Sequence, residues 1–264
     1  ENLKTLDGVM QEKGELLKAV PKDGYAIINI DDERIANFAN YLECKKITCS
    51  MDNEKADIYI KSYQATNDGY DVIISIFNKQ YSYLLNVSGL HNITNSLLAI
   101  SSLVALELNP DDFLENTANI TSFKGRFSTK QISKNLTVVD DTYNASAPSV
   151  KAAVEDLASF TGKKVLALSS MRELGDLAEE YHRQLGQWIE KAQLDDVFLY
   201  GDKELLDIAK SQITTVKTTV YTDKELLKKD LQEVLDNYKN DKTKLVVKGA
   251  RSYQMEEIVE SIKD

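Results

Sequence analysis

From residue 136 to the C-terminus the chain alternates a short apolar run with an amphipathic one five times over, and few folds accommodate that order. The runs "LTVVDD", "KKVLALSS", "DDVFLYG", "TTVYT" and "KLVVKG" are short enough for strands. Each precedes a stretch of helical period: "APSVKAAVEDLASF", "EEYHRQLGQWIEKA", "KELLDIAKSQ", "DKELLKKDLQEVLDNY" and "YQMEEIVESI". This succession predicts an α/β fold, with a doubly wound, mostly parallel, Rossmann-like sheet joined by right-handed crossovers. Such sheets bind ligands beyond the carboxyl ends of their strands. Attention therefore falls on Asp140-Asp141-Thr142-Tyr143-Asn144 after the first run, Ser169-Ser170-Met171-Arg172 after the second, and Lys248-Gly249-Ala250-Arg251 after the last. These strand ends are expected to converge on one rim.

The first of them, "VVDDTYNASAPSV", asks most of the fold, because a buried strand here ends in adjacent carboxylates. A turn needs only one Gly, Asn or Asp. Asp140 capping the turn and Ser146 or Ser149 capping the next helix would explain part of the stretch. Tyr143 and Asn144 would remain without a structural reason.

Before about residue 121 the rhythm differs. "GYAIINI" and "KKITCS" read as strands flanking a helix, "DERIANFANYLE", capped by Asp31 or Asp32. "ADIYIKSY", "YDVIISIF" and "YSYLLNV" alternate as in an antiparallel meander, with turns at Asn67-Asp68-Gly69 and Asn78-Lys79. A long apolar helix, "HNITNSLLAISSLVALEL", should stop before Asn109-Pro110, and "PDDFLENTAN" should add a short one. The change of rhythm near Thr121 to Gly125 divides the chain into a mixed-sheet domain, 1–121, and the α/β domain, 122–264.

Lys plus Arg number 32 against 42 Asp plus Glu, a net charge of −10. Such a surface repels polyanions and argues against general nucleic-acid binding, whereas a single nucleotide needs only a few local donors. Cys44 and Cys49, with no second pair or histidine cluster, argue against a zinc site or a disulfide framework. No apolar run approaches a membrane span and no signal-peptide core opens the chain, so a cytoplasmic protein without membrane insertion is expected. The first βα turn has no GxGxxG, and no GxxxxGK[ST] occurs anywhere. Together with an opening Glu1 in place of Met, this suggests a fragment.

Taken in series, "QEKGELL", "INIDDE", "GLHNITNSLLAI", "GRF", "VVDDTYNASAPSV", "MRELG" with "EEYHRQLG", and "VVKGARSYQMEEIV" resemble the Mur ligases, the ATP-dependent enzymes that extend the peptide of bacterial cell-wall precursors. The segments stand in the family's order over nearly the whole chain and favour the branch that adds D-alanyl-D-alanine to a UDP-N-acetylmuramoyl tripeptide. The resemblance implies that residues 1–121 are the later part of the central ATPase domain and 122–264 the C-terminal domain. The N-terminal domain and the P-loop would be absent, leaving the fragment inactive and monomeric. It implies ATP and Mg2+ as cofactors, and a reaction through an acyl phosphate. Other readings are a ligase adding a single amino acid, a folylpolyglutamate-type ligase, or a non-catalytic binding module. A gene that begins at this chain, without an upstream P-loop, would favour the last.

The same resemblance assigns roles. Lys13 matches a lysine that is carbamylated to support magnesium, with His91 as a possible further ligand; an unaided reading makes Lys13 a solvated surface group. Asn92 and Asn95, spaced on one helical face, would read adenine, against the alternative that one caps the helix. Arg126 would reach phosphate and serve catalysis, Asp141 would bind the ribose hydroxyls, and Tyr143 and Asn144 would face the incoming dipeptide. Lys248 and Arg251 would hold the dipeptide carboxylate or a phosphoryl oxygen, against the alternative of ion pairs with Glu173. His182 is expected to pack without chemistry. Ser169-Ser170 stands where the family has Gly-Asp, which puts the usual substrate contact of that strand end in doubt.

Overall fold

A computed structural model describes residues 5–66, 69–87, 89–121 and 123–263. The chain divides into two compact units, Asn2–Ser122 and Phe123–Asp264. Each is built on a sheet of its own.

The first unit runs α1 (Leu6–Lys18), β1 (Tyr25–Asn29), α2 (Glu33–Ala39), β2 (Lys45–Ser50), β3 (Ile58–Ala65), β4 (Tyr70–Ile76), β5 (Lys79–Leu85), α3 (His91–Ala105) and α4 (Pro110–Phe113). Its sheet has the order β1-β2-β3-β4-β5, with β1, β2 and β3 parallel and β3, β4 and β5 an antiparallel meander. Ile93, Leu97 and Ile100 of α3 pack on Ile47, Cys49, Ile58, Val72 and Ile74, while Ala26 and Ile28 of β1 pack with Leu17, Ile35 and Phe38 of α1 and α2. Burial pushes the Cys49 thiol up to about 11, which suits an inert core residue.

The choice between Asp31 and Asp32 as a helix cap is resolved, and several other local expectations change. Asp32 is the cap of α2, accepting from the amides of Arg34 (2.9 Å) and Ile35 (3.3 Å). Asp31 instead bonds the Ser50 hydroxyl and the Met51 amide, tying the end of β1 to that of β2. The β4–β5 turn is Phe77-Asn78, both with positive φ (45° and 66°), and Lys79 already pairs with Ile76. That is the two-residue turn whose twist matches a hairpin. Asn67 and Asp68 of the other expected turn lie outside the described residues. Helix α3 closes at Ala105, three residues before the expected Leu108, because Glu107 enters the left-handed region (φ 62°) and the Leu106 and Leu108 amides turn back onto Leu103 O. Beyond α4 the backbone tightens to a 3₁₀ turn, Leu114–Asn119.

The second unit runs β6 (Ser128–Gln131), β7 (Leu136–Asp141), α5 (Ala147–Ala158), β8 (Lys163–Ser169), α6 (Ala178–Ala192), β9 (Asp196–Tyr200), α7 (Lys203–Lys210), β10 (Lys217–Tyr221), α8 (Lys224–Asn237), β11 (Thr243–Lys248) and α9 (Glu256–Ser261). The strand order is β10-β9-β8-β11-β7-β6; all neighbours are parallel except β6, which runs antiparallel to β7. Successive strand residues feed opposite faces. Val139, Leu166, Leu168 and Val246 pack under α5, α6 and α7, whereas Val138, Val165, Ala167, Leu245 and Val247 pack under α8 and α9. The sheet is thus doubly wound, as the alternation predicts. The short polar β6, "STKQ", is missed by sequence because an exposed edge strand shows no apolar period. The last expected helix starts late: Tyr253 ends a 3₁₀ turn, Arg251–Tyr253, Gln254 is left-handed (φ 47°), and α9 begins only at Glu256.

Topology locates a crevice. Chain leaving β7 and β8 passes to helices on one face, while chain leaving β11, which lies between them, passes to α9 on the other. Such divergence opens space at the carboxyl edge.

Candidate functional site

At that edge Lys248, the last residue of β11, stands opposite Asp141, the last of β7. Its side chain is only 2% exposed, and its Nζ donates to Asp141 Oδ2 at 2.5 Å and to Asn144 O at 3.0 Å. An unpaired ammonium in a protein interior is costly, and removing one partner of a buried pair typically costs about 3–5 kcal/mol. The pair therefore fixes both the end of β7 and the loop that follows it. Asp141 retains 17% side-chain exposure.

The neighbouring carboxylate does different work. Asp140 is buried and accepts from the Thr142 amide (3.2 Å) and hydroxyl (2.7 Å), a local turn as expected. Tyr143 N donates to Gly125 O (2.9 Å), which docks the segment preceding β6 on this loop. Gly125 has φ +80°, and a Cβ there would lie 3.2 Å from Thr142 Oγ1, so glycine meets both demands. Arg126 then lays its guanidinium over the Tyr143 ring, 3.9 Å from the centroid, with both side chains exposed. Asn144 Oδ1 accepts from Ala145 N (2.8 Å). Ser149, in the first turn of α5, accepts at Oγ from Ser146 N (3.1 Å), so a serine box caps that helix.

The end of β8 turns its hydroxyls inward. Ser169 Oγ accepts from Ala250 N (3.0 Å), and Ser170 Oγ accepts from Asp202 N (2.7 Å) and meets Tyr253 OH at 3.4 Å. Both serines are wholly buried and stitch β8 to the ends of β11 and β9. Next to them, a Cβ on Gly249 would come 2.3 Å from Met255 Cγ. His182, also wholly buried, accepts from Met171 N at Nε2 (3.2 Å) and donates from Nδ1 to Ala178 O (2.7 Å). Burial holds its pKa below the ordinary histidine value. Arg251 is exposed and pairs with Glu256 (2.6 Å).

In the first unit, Asn92 and Asn95 do share a face of α3, with Asn95 Nδ2 donating to Asn92 Oδ1 (3.1 Å). Neither caps the helix: the N-cap position is Leu90, and no side chain bonds there. His91 begins α3, and Lys13 is exposed on α1. Among the described residues no three His, Cys, Asp or Glu side chains assemble as a metal-holding group. The structure therefore brings Arg126, Asp141, Tyr143, Asn144 and Lys248 together in the second unit, and Asn92 with Asn95 in the first. The sequence reading names Thr142 only as part of its strand end, without a role, and does not single out Tyr253. The small hydroxyl two places after Asp140 is a signal for the first; nothing local points to the second.

Comparison with known proteins follows the same division. Residues 1–103 match the family model of the Mur ligase middle domain, and residues 125–251 that of the Mur ligase, glutamate ligase domain. UDP-N-acetylmuramoyl-tripeptide--D-alanyl-D-alanine ligase of Escherichia coli (strain K12) is 29% identical over 268 residues, covering 100% of this chain and 57% of that protein. The crystal structure of MurF from Acinetobacter baumannii superposes with a TM-score of 0.86 at 21% identity, over 98% of this chain and 55% of that one. The MurF ligase of Thermotoga maritima, solved in complex with ADP, gives 0.81 at 23% identity, over 99% and 58%. The chain thus spans somewhat over half the length of the relatives it matches.

Proposed function

This chain belongs to the Mur ligase family, whose middle and C-terminal domains it carries, and from that premise we propose that its protein is an ATP-dependent amide ligase joining D-alanyl-D-alanine to a UDP-N-acetylmuramoyl tripeptide in peptidoglycan synthesis. The observation that carries this reading is the loop after β7, where Asp141, Tyr143 and Asn144 are held on a doubly wound sheet's carboxyl edge with Arg126 stacked on the Tyr143 ring.

In this reading ATP is a substrate. The amide pair Asn92–Asn95 suits the donor and acceptor edge of adenine. Asp141 accepts from the ribose hydroxyls. Arg126 offers its fixed fork of donors to phosphoryl oxygens, and the Tyr143 ring restricts where that fork points. The tripeptide carboxylate attacks the γ-phosphorus and ADP leaves; the dipeptide amine then attacks the acyl carbon and phosphate leaves. Arg126 contributes by offsetting charge on the transferring oxygens, since positioning and electrostatics supply most of the rate in such transfers. Tyr143, Asn144 and Arg251 form the dipeptide side. By resemblance alone, Lys13, through a carbamate, and His91 would hold magnesium; among the described residues no three His, Cys, Asp or Glu side chains gather as a metal-holding group.

The test uses the complete product of the gene with ATP and UDP-N-acetylmuramoyl tripeptide. ADP release that needs D-alanyl-D-alanine supports the reading. ADP release that instead needs a single amino acid moves the protein to another amide ligase of the same scaffold. No dependence on either amine removes the ligase reading.

A further inference from the structure

Lys248 is read from sequence as a ligand for substrate, yet its surroundings suit a different task. We propose that Lys248 is a positioning residue: it holds Asp141 so that one carboxylate oxygen is presented to the nucleotide ribose, and it touches no substrate itself. The proposal rests on the assignment of Asp141 to the ribose made above.

Depth gives the first argument. Lys248 is 2% exposed and Asp141 17%, so a ligand arriving at the rim meets the carboxylate before the ammonium. Bond division gives the second. The Nζ–Oδ2 bond of 2.5 Å uses one oxygen of Asp141 and leaves Oδ1 for a hydroxyl donor. The second bond, 3.0 Å to Asn144 O, grips the same loop three residues on, so one ammonium sets both ends of the Asp141–Asn144 segment. Two anchor points restrict rotation of the carboxylate in a way one does not. Register gives the third: Lys248 is the direct partner of Asp141 across β11 and β7, which keeps the lever short and lets the sheet itself set the distance. Gly249 follows under steric compulsion, since a Cβ there would strike Met255 Cγ at 2.3 Å and Ser169 Oγ at 2.9 Å, so the backbone that carries Lys248 has little freedom to shift.

Asp140 offers no substitute, because its carboxylate is buried and engaged with Thr142. The paired acids thus divide into one that shapes the turn and one that is aimed. A strand position that follows buried Val246 and Val247 and is itself buried would ordinarily be apolar. A lysine there is intelligible if its charge orients a working carboxylate.

The experiment compares ATP with 2′,3′-dideoxy-ATP in the ligation assay of the full-length enzyme, for wild type, K248M and K248R. A hydrogen bond to a charged group is strong enough for wild type to favour ATP in kcat/KM by roughly tenfold to a hundredfold. In K248M that ratio should fall to within about twofold, through a higher KM for ATP with kcat at saturating ATP largely kept, the pattern of lost binding rather than lost chemistry. K248R, which keeps charge and donors, should recover part of the ratio. A merely structural ion pair would lower the melting temperature and leave the ratio untouched, and that result overturns the proposal. Should K248M not fold, the ratio is read in K248Q, whose neutral amide cannot span both oxygens; an unchanged ratio there is equally fatal. Wild type that ligates but ignores the ribose hydroxyls sinks this inference alone, whereas wild type that ligates nothing sinks the ligase reading with it.

Discussion

Replacing His182 with leucine isolates one buried hydrogen-bond pair at the edge of the site. Leucine has about the volume of histidine, so the packing under α6 is largely conserved while both polar contacts vanish. Ala178 O keeps its place in the helix, but Met171 N–H loses the His182 acceptor inside a fully buried shell. An orphaned buried donor costs about 1–3 kcal/mol and a lost neutral hydrogen bond about 1, so about 2–4 kcal/mol in all is expected. With a urea slope of about 2 kcal/mol/M, the midpoint should fall by about 1–2 M. The reporter is built in: Trp188, the chain's single tryptophan, packs against the second unit's core, so its fluorescence follows that unit. The sign of the pH effect gives an internal check. Burial depresses the folded pKa of His182, so below its ordinary value near 6.5 the unfolded chain binds a proton that the folded chain refuses. Wild-type stability should be full above that value and decline as pH falls below it, and H182L should lack this decline. A variant whose midpoint stays within about 0.3 M of wild type, with the same pH slope, would refute the assigned bonds.

Other perturbations test neighbouring parts. Gly186→Ala should gain about 1 kcal/mol of helix propensity yet destabilise overall by about 1–3 kcal/mol, because its Cβ would lie 2.1 Å from Ala209 O; a rise in the urea midpoint would contradict the close approach of α6 and α7. Glu190 accepts from the amides and hydroxyls of Thr214 and Thr215, led by the Thr214 hydroxyl, which holds its carboxyl at about 2. Its stabilisation is therefore complete above the ordinary value near 4.5 and lost as pH falls towards 2, and the acid unfolding curve of Glu190→Gln should be flatter over that window. Equal slopes would dispose of the clamp. Tyr143→Ala should raise the KM for ATP about twofold to fivefold, by releasing Arg126 from an exposed cation–π contact, while Tyr143→Phe stays near wild type. Asp32→Ala should lower first-unit stability by about 1 kcal/mol and speed hydrogen exchange at the Arg34 and Ile35 amides. Unaltered exchange would show that the cap is elsewhere.

What sequence makes legible follows from the range of the forces concerned. The continuous apolar runs around Val138-Val139 and Leu245-Val246-Val247, alternating with amphipathic helices, declare a sheet covered on both faces, because each residue must find an apolar partner on its own side. The same alternation identifies which strand ends share an edge. Partners within the edge are less legible. That Lys248 meets Asp141 depends on β11 inserting between β7 and β8, a pairing between residues more than a hundred places apart that no local pattern encodes. Ser169 and Ser170 look like lost function in sequence, and only the positions of Ala250 and Asp202 show them as buried stitching. At finer scale, Phe77 and Glu107 in left-handed backbone defy their residue preferences, so the turn and helix end they create fall one and three places from where turn residues alone would set them.

We propose that the complete protein couples ATP cleavage to amide formation through the tripeptide carboxylate. Tripeptide bearing heavy oxygen in that carboxylate, supplied with ATP and D-alanyl-D-alanine to the complete gene product, tests it most directly by mass spectrometry of the released phosphate. Acyl-phosphate chemistry requires one carboxylate oxygen to leave on phosphorus, so inorganic phosphate carrying a single heavy oxygen for each amide bond formed is the expected result. Amide formation accompanied by unlabelled phosphate, or no amide at all, would contradict it.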